Sequence, residues 1–396
     1  MVIFLILIAL NFIGLGLGDS LLGSAWPSMY RHFGVDAAAA GPLSMLISGS
    51  TIVAAYLNAR IVRRFGTGLA LAMGLMMMGV AVFAFSMVSH FAILYLLAIP
   101  LGFGLGNVDA GGNGFLTTHY SAKHLNWVSS LWGVGATAGP AVMAFSLMHL
   151  GGWTAGYRIV GAAQLALAAI LFASLPRWKK IHSDKGAPPE EETKEVFGTP
   201  QLLRLRGARL SIMLFFFLGG FETTLALWST TYLVTAREIT RETATSWLTF
   251  YYLALTGGRV LGGFITMRLR SRQMARVGIC LIVAGIITIS LPFAWSLLPG
   301  LILTGFGVAP LFPNFSHGTR GIFGKTYTHA MVGLQMTALF LGITTLPPLF
   351  GLVGSRFGYH LFPLYAGALL AIVASIAAIL YIRNPEQGEG SGQTRC

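Results

Sequence analysis

Charge and cysteine are what this 396-residue chain has least of. Only 10% of its residues are charged, where a soluble globular domain carries about 25%, and this argues against an ordinary cytosolic enzyme. Its two cysteines are Cys280, inside an apolar run, and Cys396, at the last position. They build neither a disulfide framework nor a Cys-based metal site. Acidic residues are scarce too: 13 Asp and Glu against 26 Lys and Arg leave a net charge of +13. In a soluble domain that excess would suggest nucleic acid as a partner. In a membrane chain it marks cytoplasmic loops.

The deciding feature is how the apolar residues are arranged. They make up 55% of the chain, mean hydropathy is +0.72, and they fall into runs of the length that crosses a bilayer as a helix. Twelve such spans are predicted, at 3–27, 40–58, 67–88, 91–116, 125–148, 156–175, 209–234, 243–266, 275–293, 296–318, 329–352 and 360–382. No cation precedes the first span, which is longer than a signal-peptide core, so it reads as a retained helix. With the amino terminus inside, twenty basic residues fall in cytoplasmic segments and five on the opposite side, with Arg259 inside a span. Both termini are therefore expected in the cytoplasm. Short loops and modest length suit a bacterial inner membrane.

A polar stretch from Pro176 to Arg209 divides the spans six and six. It is read as a linker loop, 176–208, between bundles at 1–175 and 209–383, with a cytoplasmic tail at 384–396. The halves are related. At an offset of 202, Gly18, Trp26, Tyr30 and Asp36 fall on Gly220, Trp228, Tyr232 and Glu238. At an offset of 201, Gly104, Gly106 and Asn113 fall on Gly305, Gly307 and Asn314. A parallel six-helix repeat puts a solute site near the midplane between the halves. The fold class expected is all-α and polytopic, two pseudo-symmetric six-helix bundles.

This pattern resembles the major facilitator superfamily over essentially the whole chain. Gly102 through Asn113 in span 4, Trp132 through Pro140 in span 5 and Phe312-Pro313-Asn314 in span 10 resemble its L-fucose permease-like sugar branch. The sequence also departs from the superfamily. In the loop after span 2, Ala59 and Arg63 stand where the usual motif has Gly and Asp, leaving Arg64, Phe65 and Gly66. Span 5 keeps the Gly-Pro part of an antiporter motif, Gly135, Gly139 and Pro140, but continues to Met143 and Ala144. Arg64 and the span 5 residues are expected to serve the gates and the packing. The half-match keeps proton-coupled export of drug-like compounds as an alternative.

Ten of the 13 acids lie in loops or tails, leaving Asp19, Asp109 and Glu222 within spans. A carboxylate at mid-helix costs roughly 2.5–3.5 kcal/mol to insert, so each is expected to face a cavity or a partner. Asp19 falls about 6 Å outward of its span centre and Asp109 about 8 Å inward of its own, at 1.5 Å per residue. The resemblance implies that acids on the first and fourth helices bind solute and couple protons. Asp19 and Asp109 stand there, Asp109 as the preferred coupling residue, although the family position is typically Glu.

Asn113, one turn after Asp109, offers donor and acceptor to a hydroxyl-rich solute. Asn314 and Gln335 are read alike, with hydrogen bonding between helices as the alternative. Trp132, Trp228, Tyr251 and Tyr252 are aromatic candidates for the pocket, Trp132 and Trp228 the preferred ones, whereas Trp26 and Trp247, near span ends, read as interfacial. Glu222 is expected to bind solute. Arg259 is placed too near the cytoplasmic end of span 8 to meet it and is read as a gate contact.

The run Gly102-x-Gly104-x-Gly106 sits inside an apolar span and reads as close helix packing, not a nucleotide fingerprint. His119 and His124 lack carboxylate or Cys company for a metal. No ATP motif, cofactor motif or convergent catalytic set is seen. The expectation is a monomeric secondary transporter of a small polar solute, a sugar or polyol. It would sit in lipid and be driven by protons, with sodium as the alternative ion.

Overall fold

In the computed structural model, which describes residues 2–120, 122–184, 199–265 and 271–383, the chain is built of α-helices, with short 3₁₀ turns at their ends. Eleven helices are long and apolar enough to cross a membrane: Ile3–Phe33, Ala37–Phe65, Thr67–Phe85, Phe91–His119, Ser130–His149, Trp153–Trp178, Ala208–Ala236, Ser271–Ser290, Ala294–Gly324, Thr326–Phe357 and Tyr359–Ile382. A twelfth helix, Arg241–Ile265, runs among them. It is the eighth in chain order and carries Arg241, Glu242 and Arg259. Spans are numbered 1 to 12 below in chain order. Of the 176–208 segment, residues 185–198 lie outside the described residues, as does the 384–396 tail, and the helix of span 6, expected to stop at 175, continues through Pro176 to Asp184.

Packing repeats between the halves. Spans 1 and 5, 2 and 4, and 3 and 6 pack together, as do 7 and 11, 8 and 10, and 9 and 12. Glycines make the closest approaches. A Cβ on Gly135 would run into the carbonyl of Ile13, and one on Gly16 into that of Trp132. In the second half Gly342 meets the Phe216 carbonyl in the same manner. Without water to drive apolar association in lipid, such backbone contact maximises dispersion between helices.

Two spans are interrupted. Span 1 is helical over Val2–Asp19 and again over Leu21–Phe33, with Ser20 between them. Span 10 breaks at Ala309 and Pro310, between helices Leu297–Val308 and Leu311 onward. Proline supplies no N–H and obstructs the preceding turn, which explains the second break. Gly324, at φ 72°, then turns the chain from span 10 into span 11.

The halves meet most closely at the end of the molecule away from the termini. There the hydroxyl of Thr230 donates to the Gly23 carbonyl, and Thr245 Oγ1 donates to the Ser24 carbonyl at 3.0 Å. A Cβ on Gly23 would collide with the Ala226 carbonyl, and one on Gly41 would sit 3.0 Å from Pro348 Cα. Nearer the middle, Gly133 packs on Thr256, whose hydroxyl lies 3.5 Å from that of Thr137. Toward the termini, no hydrogen bond joins the halves among the described residues. The halves are thus sealed together at the end away from the termini.

Candidate functional site

The contact between Gly16 and Gly135 sets the site. Gly16 packs against the backbone of Trp132, and Asp19 lies one turn beyond Gly16, so parallel spans 1 and 5 bring the Asp19 and Trp132 side chains within reach of each other. The Trp132 indole N–H approaches the Asp19 carboxylate. Asp19 is exposed although it lies within a membrane span, which means that its carboxylate opens on the space between the halves. The charges of Asp109 and Glu222 both bear on it.

Across this space, Arg259 Nη2 lies 3.4 Å from Glu222 Oε1, each side chain 24% exposed. The same guanidinium sits 5.1 Å from the centre of the Trp132 ring. Glu222, Arg259, Trp132 and Asp19 therefore form one continuous set from the second half to the first. Tyr252 meets Trp132 edge to face at 6.4 Å, and Tyr251 lies against Tyr252 at 5.3 Å. The buried Arg259 Nε and Tyr251 hydroxyl have no hydrogen-bond partner in the structure. Leaving such groups unsatisfied costs about 1–3 kcal/mol each, so each stands to gain from a partner.

This corrects the placement of Arg259 as a gate contact. Span 8 ends at Ile265 much as expected, and it is the reach of the long Arg259 side chain that brings its guanidinium to Glu222.

On span 4, Asn113 Nδ2 donates to Asp109 Oδ1 at 2.9 Å, and both side chains are half-buried. The repeat mate behaves differently. Asn314 is buried, and its Nδ2 donates to the Pro310 carbonyl at 2.7 Å, serving the break in span 10. Pro310 occupies the place in the repeat that Asp109 holds in the first half, so one half carries an acid where the other carries a break.

Three residues expected at the site are committed to packing instead. Asn314 is one. Gln335 is fully buried, taking a hydrogen bond from Thr319 at 3.0 Å and donating to Ser211 at 2.6 Å, and so joins spans 7, 10 and 11. Trp228 is fully buried near the closed end. Its Nε1 donates to the Pro347 carbonyl at 2.8 Å, and its ring stacks on Tyr359 at 5.7 Å. Trp26, its repeat mate, is not interfacial either: it is fully buried and donates to the Ala37 carbonyl at 2.7 Å. A buried indole N–H needs a partner, and each finds a backbone carbonyl.

Of the remaining expected residues, Gly139 meets the Ser20 hydroxyl, while Gly135 packs on span 1 as described. Pro140 lies within the same helix and is buried. Arg64 is exposed at the termini end with its guanidinium 5.5 Å from the Phe65 ring. Tyr251 and Tyr252 stand beside Trp132 as the aromatic reading expects, and the pairing of Arg259 with Glu222 is what sequence reasoning missed. The charges and hydroxyls on an otherwise apolar span 8 were the available signal.

Comparison with known proteins agrees with this architecture. The description of the Major Facilitator Superfamily matches residues 8–316 and again 211–395, the second match beginning at the head of the second half. Over 396 aligned residues the chain is 23% identical to Bypass of stop codon protein 6 of Saccharomyces cerevisiae, covering 91% of this chain and 79% of that protein. Among solved structures, a mutant of the nucleoside transporter NupG superposes with a TM-score of 0.73 at 12% identity, covering 95% and 98% of the two chains. A bacterial homologue of the human lysosomal transporter Spinster, inward-facing and occupied, gives 0.70 at 13% identity, covering 96% of each chain. These solved structures share the fold, and the twice-matched family description spans both halves: this chain is a multi-pass membrane transporter belonging to the Major Facilitator Superfamily.

Proposed function

We propose that the protein is a proton-coupled symporter of a small polar solute, a sugar or polyol, in the manner of the L-fucose permease-like branch it resembles. The observation that carries this reading is the set spanning the cavity: Asp19 open to it, Trp132 and Tyr252 beside it, and the Arg259–Glu222 pair opposite. A hydroxylated solute gives and takes hydrogen bonds. Carboxylates accept from its hydroxyls, while Arg259 Nε and the Tyr251 hydroxyl donate to its oxygens. Asp109, held by Asn113, is the coupling residue, and Asp19 shares binding with proton transfer. The rocking bundles are 1–175 and 209–383, joined by the 176–208 linker and followed by the 384–396 tail. Both termini lie in the cytoplasm of a bacterial inner membrane. The protein works as a monomer in lipid without a cofactor, and sodium is the alternative ion.

One observation favours a second reading. Asp19 feels the charges of Asp109 and Glu222, and of the three carboxylates only Glu222 pairs with Arg259, a balance that also suits a cationic amphipathic compound exported against protons.

Proteoliposomes offered labelled monosaccharides, polyols, nucleosides and cationic drugs distinguish the two. Nucleosides belong in the panel because they also present hydroxyls and are the solute named for one solved neighbour. Saturable uptake of a neutral hydroxylated solute, weakened roughly tenfold to a hundredfold by Arg259→Gln through loss of a charged hydrogen bond, supports symport. Movement of cations alone, opposite to protons, replaces it with export.

A further inference from the structure

We propose that the groove between spans 9 and 12, on the outer face of the second half and away from the central cavity, is a binding site for one anionic phospholipid. The groove holds about 200 Å³ and lies at the end of the molecule bearing the termini. Its cations are Arg272 and Arg276, one turn apart on span 9, and no acid lines it. Ala374, Ala377 and Ala378 of span 12 leave the floor low enough for another chain to lie against it.

The two arginines are held differently. Arg272 Nη1 donates to the Tyr381 carbonyl at 3.3 Å, and its guanidinium packs 4.7 Å from the Tyr381 ring, which anchors it to the end of span 12. Arg276 is exposed and makes no hydrogen bond or ion pair among the described residues. It stands within a membrane span, where a guanidinium is costly unless an anion or water meets it. Beyond it, Val283 and Ile287 of span 9 and Ile372 of span 12 are exposed, an apolar surface of the kind that lipid chains cover. The ligand that matches both parts carries a phosphate for the planar guanidinium forks and long acyl chains for the helices above them. Basic pockets between membrane helices take such headgroups, and each arginine contributes roughly fivefold to affinity.

The test is native mass spectrometry of the intact protein equilibrated with equal amounts of phosphatidylglycerol and phosphatidylcholine. The proposal expects one retained phosphatidylglycerol, favoured at least tenfold. It expects about a fivefold loss of preference in Arg276→Gln and none left in Arg272→Gln/Arg276→Gln. Arg276→Gln removes a side chain with no partner, so its folding is secure. Excess inorganic phosphate should leave the lipid bound, because a free ion does not use the alanine floor. Equal retention of the two lipids, an unchanged preference in Arg276→Gln, or displacement by phosphate would overturn the assignment.

Discussion

The Arg259 guanidinium of the second half lies 5.1 Å from the centre of the Trp132 ring of the first. Through it, the ion pair with Glu222 and the approach of Trp132 to Asp19 are parts of one arrangement across the boundary between halves. Any relative rotation of the halves must move these groups against each other. A solute held among them is then coupled to the conformational change, as alternating access requires.

Breaking the pair on one side should be worse than removing it. Arg259→Gln strands the Glu222 charge, and Glu222→Gln strands the guanidinium over Trp132. Each should lower thermal stability, by less than the roughly 3–5 kcal/mol seen for fully buried pairs, because each side chain keeps 24% exposure. Glu222→Gln/Arg259→Gln should recover part of that loss without recovering transport. Full recovery of transport in the double variant would remove the pair from the solute site.

The seal at the closed end rests on a small residue. With a side chain at Gly23, the Ala226 carbonyl cannot approach, and the Thr230 hydrogen bond is lost with it. Gly23→Val should hold that end apart and cut transport at least tenfold. In a protein carrying Cys280→Ser, Cys396→Ser and Thr230→Cys, adding Gly23→Val should speed alkylation by a membrane-impermeant maleimide. An unchanged rate would show that Gly23 does not limit closure.

Trp228 and Trp26 are placed as structural residues. Trp228→Phe keeps most of the ring packing but leaves the Pro347 carbonyl without its indole donor. Stability should fall by about 1–3 kcal/mol, while KM for the solute stays at the wild-type value. A raised KM at unchanged stability would return Trp228 to the solute pocket.

Hydropathy made the twelve helices and the twofold repeat legible, because a span is a property of some twenty residues and survives local error. Asp19 and Asp109 were legible for a similar reason: an acid in an apolar span has few structural uses. Arg259 was not, since whether it meets Glu222 depends on helix rotation and side-chain reach, which spacing along one helix does not carry. Trp228 and Trp26 share a repeat position, which argues for one common role, and distance from a span end does not reveal it because both are buried against backbone carbonyls. Asn314 and Gln335 show why isolated amides mislead. In a bundle, the Pro310 carbonyl at the break in span 10 or a buried Thr319 takes up an amide as readily as a solute does.

The central claim is that Asp109 couples solute movement to protons. It is tested most directly by recording lumenal pH in proteoliposomes, for the wild type and Asp109→Asn, while a transported hydroxylated solute is added outside. The account predicts lumenal acidification with the wild type. With Asp109→Asn it predicts none, while solute exchange across the membrane, which needs no net proton, continues. Acidification of equal size in the variant would contradict it.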